Sequence, residues 1–327
     1  MAALQDDRAL MGRRGEESGD FCIPCGGQSE IQDPLGKRLQ PDAPRQGDGQ
    51  FPMVRQPKKF AQEIGHGERI NMLAECKLQY LSNSGFLLTT EEGKRVAIDP
   101  YLTGNPKAPF GPEKVPPVDL VIVTHAAFDH LGDSFFLARR DQAIVLGDYV
   151  VRQLAHDAGL LKEKVKSSAY GATEAYAGIR LKVLQAFHCS FAVDSSGRTI
   201  TGIPLAFLIT TPHGVRIYHA GDTCLYGDMK LIGQLYRPHI GLIPVGAAGP
   251  QYGKDLPPTE AALAAQWVGC ELAVPMHYDD PEDPIDFTAA VKILAPWMEV
   301  KVMKPGEEMI LSVNKQGSRT AFFLQDS

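Results

Sequence analysis

The chain has 327 residues, 44% of them apolar and 22% charged, with a formal net charge of −6. That apolar content supports a sizeable buried core and excludes a wholly disordered protein. The acidic balance offers no broad attraction to phosphate backbones or anionic lipid, and no stretch reaches the roughly 18–20 apolar residues of a bilayer span, so neither nucleic acid nor a membrane is an expected partner.

Residues 1–70 are rich in Gly, Pro, Gln, Asp and Arg and carry no sustained period of 2 or 3.6. They predict a flexible amino-terminal extension ahead of a folded domain over 71–327. The first residues hold no apolar core of about 7–15 residues such as a secretory signal needs, which points to a cytoplasmic protein. Cys22 and Cys25 in "CIPC" have the spacing of half a zinc knuckle, but no second such pair follows nearby. Cys76, Cys189, Cys224 and Cys270 stand singly in apolar or strand-like surroundings and are expected to be, for the most part, small buried hydrophobes.

From Cys76 onward the texture changes. "CKLQYLSNSGFLLTT" and "KRVAIDP" read as two strands separated by the turn "EEGK", and "DLVIVTH" as a short, fully buried strand. A helix is predicted from about Asp129 through "DSFFLARRD", then a strand and helix in "IVLGDYVVRQLAHDAG" ended by Gly159. "IRLKVLQAFH" is a strand, "PLAFLITTPHGVRIYHAGD" a hairpin, "MKLIGQLY" a helix and "IGLIPVG" a strand. "TEAALAAQWVG" is a helix capped by Thr259, "ELAVPMHY" a strand, "DFTAAVKILAP" a helix, and "EVKVMKPGEEMILSV" a terminal β pair. Strands first, then strand–helix alternation, predict an α/β sandwich of sheets covered by helices.

Metal-loving side chains recur at the carboxyl ends of these strands. "DLVIVTHAAFDH" supplies His125, Asp129 and His130; "LKVLQAFH" supplies His188; "VRIYHAGD" supplies Asp222; "LAVPMH" supplies His277. Strand ends in layered α/β folds share a crevice, so these six can converge on a divalent cation, which takes imidazole nitrogen and carboxylate oxygen. Taken singly, each has a blander reading as a hydrogen-bonded structural residue. Asp99 in "VAIDP" either caps a turn or orients a histidine ligand. His219, three residues before Asp222, is expected in the core, and His66, His156, His213 and His239 on the surface.

With "LSNSGFLL", "VAIDPYLTGNP", "THAAFDHLGD", "AFHCS", "IYHAGDTCLYGDMKLIGQLYRP" and "VPMHYDDP" in this order, the chain resembles the metallo-β-lactamase superfamily, in its branch of cytoplasmic metal-dependent hydrolases related to ascorbate-phosphate lactonases. The resemblance runs from about Leu78 to Leu311. It implies an αββα sandwich of two mixed sheets and a metal-activated water acting on a small lactone, ester or phosphorylated substrate. The family motif HxHxDH reads here His125, Ala126, Ala127, Phe128, Asp129, His130, so the second histidine is absent. The resemblance assigns His125 and His188 to one metal pocket, Asp129, His130 and His277 to the other, and Asp222 between them, with Asp129 also the catalytic carboxylate. Asn83 stands where many relatives carry histidine.

Ala127 reads either as a natural lineage working with one tightly held metal or as a laboratory substitution made to silence the enzyme. The expected cofactor is a divalent metal, zinc first and manganese second, with one ion held tightly and the other site weakened. The expected partner is a small-molecule substrate, with a homo-oligomer compatible. "GAAGPQYGKDLPPTE" is a candidate substrate loop through Tyr252 or Lys254. The rival reading is a binding or scaffold protein that has kept the fold and lost turnover.

Overall fold

The computed structural model describes residues 75–246, 256–313 and 320–323. The expected extension over 1–70, the CIPC pair, His66, Tyr252 and Lys254 lie outside the described residues.

The chain enters through β1 (Glu75–Ser82), which pairs antiparallel with β2 (Gly85–Thr89); β3 (Arg95–Ile98) returns beside β2. "CKLQYLSNSGFLLTT" is therefore a tight hairpin of two strands rather than the single strand expected, because Ser82 and Asn83 adopt positive φ and reverse the chain. Next come β4 (Leu120–Ile122), β5 (Ile144–Gly147) and β6 (Val165–Ser167), all added in parallel. The helix predicted from Asp129 is two helices, α1 (Phe128–Leu131) and α2 (Ser134–Asp141), broken at Gly132. Gly132 has φ 39° and no room for a side chain, since a Cβ would lie 2.4 Å from the Pro100 carbonyl oxygen. After β5, α3 (Tyr149–Asp157) begins where the Asp148 carboxylate accepts the Val151 N–H.

The second sheet starts with β7 (Thr173–Tyr176) and β8 (Ile179–Gln185); a separate hairpin of β9 (Phe191–Val193) and β10 (Thr199–Thr201) follows. β11 (Leu205–Thr210) and β12 (Arg216–His219) form the expected hairpin. Then α4 (Met229–Tyr236), β13 (Ile240–Pro244), α5 (Pro258–Val268), β14 (Leu272–Met276) and α6 (Asp283–Leu294) alternate, with β13 and β14 parallel to β12. Thr259 is not the cap of α5: Pro257 holds that position, and Pro258 fits the first helical site because its missing N–H would have had no intrahelical partner. The "terminal β pair" separates. β15 (Glu299–Val300) extends the second sheet beside β14, whereas β16 (Glu308–Val313) pairs with β1 and β17 (Thr320–Phe323) in the first.

Three apolar clusters define the layers. Leu78, Phe86 and Ile98 of one sheet share a core with Leu181, Phe207 and Leu242 of the other, so the two sheets face each other. The outer face of the first sheet is covered by Leu137 of α2 and Val151 of α3, and that of the second by Ile232, Ala265 and Phe287 of α4, α5 and α6. Helix, sheet, sheet and helix in that order make the αββα sandwich.

The cysteines divide. Cys76 and Cys270 are buried as expected, but Cys189 and Cys224 are exposed, because each lies in a loop beyond a strand end and not on the strand. His239 is another correction: it is 6% exposed, and its Nδ1 accepts the Arg216 N–H at 3.0 Å, so it is a buried acceptor at the entrance to β13. His156 is half-buried, and His213 is exposed as expected.

Candidate metal centre

Topology brings the six expected residues together. β3 and β4 run parallel, as do β12, β13 and β14, and β8 runs with β12 because both are antiparallel to their common neighbour β11. His125, α1 with Asp129 and His130, His188, Asp222 and His277 all follow the carboxyl ends of these strands. The sheets are stitched at this edge by the Leu205 N–H donating to the Thr124 carbonyl at 2.8 Å. Gly221 at φ 61° lets the chain turn there; a Cβ would sit 2.8 Å from the Leu205 carbonyl oxygen and 3.1 Å from the Thr124 Cβ.

The Asp222 carboxylate is the focus. Its Oδ2 lies 3.0 Å from Nε2 of His130, 3.3 Å from that of His277, 3.9 Å from that of His188 and 4.0 Å from that of His125. Asp129 Oδ2 stands 3.3 Å from His277 Nε2 and 3.9 Å from His130 Nε2. Two tight groups result, His125 with His130 and Asp222, and Asp129 with His130 and His277, each with donor atoms within 4.8 Å of one another. His130 joins both groups, whereas the resemblance had placed it in one.

Buried hydrogen bonds hold the rings in place. The Asp99 carboxylate, fully buried, takes His130 Nδ1 at 2.8 Å, the Thr124 hydroxyl at 2.6 Å and the Thr124 N–H at 2.8 Å. Of the two readings of Asp99, orienting a histidine is the one its geometry fits. Thr124, which sequence reasoning passed over, also approaches His125 Nδ1 at 3.2 Å; the only available signal was a hydroxyl at the end of an apolar run. Asn83 ties β1 to the site: its side-chain amide donates to Asp129 Oδ2 and to the Asp129 carbonyl, both at 3.3 Å, and its own carbonyl accepts the His277 N–H at 3.0 Å. Asn83 and His277 both adopt positive φ, 54° and 61°, a cost accepted where the surrounding bonds over-determine the backbone. His219 is in the core as expected, its Nε2 donating to the Ser84 carbonyl at 2.9 Å.

Electrostatics match the packing. Burial, reinforced by His130, pushes His125 down to about 3, so its ring is neutral and able to donate a lone pair at ordinary pH. For His130 burial favours the neutral ring, but the facing Asp222 and Asp99 carboxylates outweigh it and raise the imidazole well above its usual range. Burial would raise Asp222, yet His130 and His277 hold it far below the ordinary carboxylate range; Asp129 is lowered likewise, burial being outweighed by the His277 hydrogen bond and His130.

The donor set fits a divalent cation. His125 Nε2 and Asp222 Oδ1 are buried without a protein hydrogen-bond partner, in a cluster where neutral imidazole and carboxylate are the chemistry such an ion takes. A cation replacing the proton on His130 Nε2 would relieve the same charge imbalance that raises that ring. Ala127, at the amino end of α1, supplies no ligand atom.

The chain is similar to known metal-dependent hydrolases. A family model described as "Beta-lactamase superfamily domain" matches residues 94–278. A UPF0173 metal-dependent hydrolase of Rubrobacter xylanophilus is 36% identical over 243 residues, covering 73% of this chain and 98% of the relative. One of Methanopyrus kandleri is 36% identical over 235 residues, covering 71% and 98%. Among solved structures, a metallo hydrolase from Ignicoccus hospitalis superposes with a TM-score of 0.62 at 29% identity, covering 73% of this chain and all of that one.

Proposed function

From the premise that the chain belongs to the UPF0173 metal-dependent hydrolases of the β-lactamase superfamily, we propose that it hydrolyses a small lactone or ester in the cytoplasm. The observation that carries this reading is the convergence of four imidazole Nε2 atoms within 4.0 Å of one carboxylate oxygen of Asp222.

On this reading His125, Asp129, His130, His188, Asp222 and His277 hold the metal, with zinc the expected ion and manganese the second. When bound, a divalent cation supplies Lewis acidity toward the substrate carbonyl and lowers the pKa of water toward about 7. The chain's own residues do the rest. Asp99 and Thr124 fix the ring of His130, and Asn83 fixes the carboxylate of Asp129. Asp129, oriented by Asn83, holds the attacking water through an accepted hydrogen bond and takes up a proton afterwards. Asp222, buried among the imidazoles, balances cationic charge.

The test is a panel of small lactones and esters, with phosphodiesters as controls, run on the full chain. Turnover that is abolished by chelator, restored by zinc or manganese, and lost in Asp129→Asn supports the reading. Binding of panel members without turnover in metal-loaded protein overturns it in favour of a scaffold that kept the fold.

A further inference from the structure

Beside the cluster lies an open concavity of about 410 Å³ lined by Tyr170, Gln185, Ala186, Phe187, His188 and Pro204. That size falls within the range of small-molecule sites. One wall is His188, whose Nε2 stands 3.9 Å from Asp222 Oδ2, so the space borders the proposed reacting centre through that residue. The other walls are apolar, or polar groups already engaged. Tyr170 donates its hydroxyl to the Pro204 carbonyl at 3.0 Å, and the Gln185 amide donates to Asp228 Oδ2 at 3.1 Å. Phe187 packs against Tyr226 with ring centroids 4.8 Å apart, yet the residue remains 52% exposed. Among the described residues no lysine or arginine lines the space, and Asp228, which holds Gln185, lines the adjoining concavity.

We propose that this concavity is the subsite for the non-reacting end of the substrate, that it takes an uncharged aryl or alkyl group, and that Phe187 is its main contact and specificity-determining residue. The proposal rests on the hydrolase reading for the word substrate, but the subsite itself does not. An apolar group landing here covers the exposed surface of Phe187 and loses its own hydration. A phosphate or carboxylate on that non-reacting end would lose hydration against mostly apolar walls with no lining lysine or arginine among the described residues to replace it, so an uncharged group is favoured there.

Two measurements on the full chain test it. The first is the ratio of kcat/KM for a 4-phenylbutyrate ester to that for the acetate ester of the same alcohol. That ratio falls about tenfold or more in Phe187→Ala, while Phe187→Arg, at an already exposed position, shifts preference toward the singly charged succinate ester. The second is binding of the neutral, non-hydrolysable probe 4-phenylbutan-1-ol, followed by NMR, with inorganic phosphate as the anionic comparison. The expected result is probe binding that is weakened in Phe187→Ala and stronger than that of phosphate. An unchanged ratio in both variants, or probe binding indifferent to Phe187, overturns the subsite. Probe binding that depends on Phe187 without turnover of any ester keeps the subsite and overturns the hydrolase reading, so the two failures are distinguishable.

Discussion

The Asp99 carboxylate lies 2.8 Å from Nδ1 of His130, and this contact leaves the opposite nitrogen of the ring aimed at Asp222, 3.0 Å away. A histidine whose one ring nitrogen is tied to a buried acceptor has its tautomer and orientation set, which raises its basicity as a ligand. Asp99→Asn keeps the size and removes the charge. It is expected to weaken divalent-metal affinity by about 10–100-fold, measured by competition against a chelating dye, with the circular dichroism spectrum retained. Unchanged affinity would reduce Asp99 to a turn cap.

Ala127 gives a gain-of-function prediction. Restoring imidazole with Ala127→His is expected to raise bound metal from about one to about two ions per chain by completing a second set of ligands. Elemental analysis reads this directly. An unchanged count would mean that the surrounding chain no longer presents position 127 to the site.

The acid sensitivity of the fold is expected to depend in part on His239. Burial, with Arg216 beside it, pushes this imidazole down from 6.5 to about 4. Between those values the unfolded chain binds a proton that the folded chain refuses. The stabilisation is therefore complete above about pH 6.5 and is lost as pH falls toward 4, by an amount on the order of 1–3 kcal/mol. His239→Asn, which keeps an acceptor and cannot titrate, should flatten the fall in urea midpoint between pH 7 and 5. Parallel curves for the two proteins would contradict this.

Much of the centre was legible in the sequence because its residues follow short β-branched runs, as His125 follows "DLVIV", and such runs mark strand ends without knowledge of the fold. Pairing was less legible. "EVKV" and "EEMILSV" each read as strand, yet nothing local says that they join different sheets. Strands such as Thr173–Tyr176 and Phe191–Val193 escaped notice because neither buries a full face, and without burial there is no alternation to see. His239 in "RPHIG" looks like a turn residue, and only the neighbouring Arg216 N–H reveals why it is buried. Asp99 carried no pattern of its own; its partners are 25 and 31 residues away.

Elemental analysis of the purified full-length chain, beside an Asp222→Ala variant, tests the central claim most directly. At least about one zinc or manganese per chain is expected in the wild type, with most of it lost in the variant while the circular dichroism spectrum is kept. A wild type that takes up neither metal after incubation and desalting, or a variant that retains the full amount, would contradict the assignment of this cluster as a metal centre.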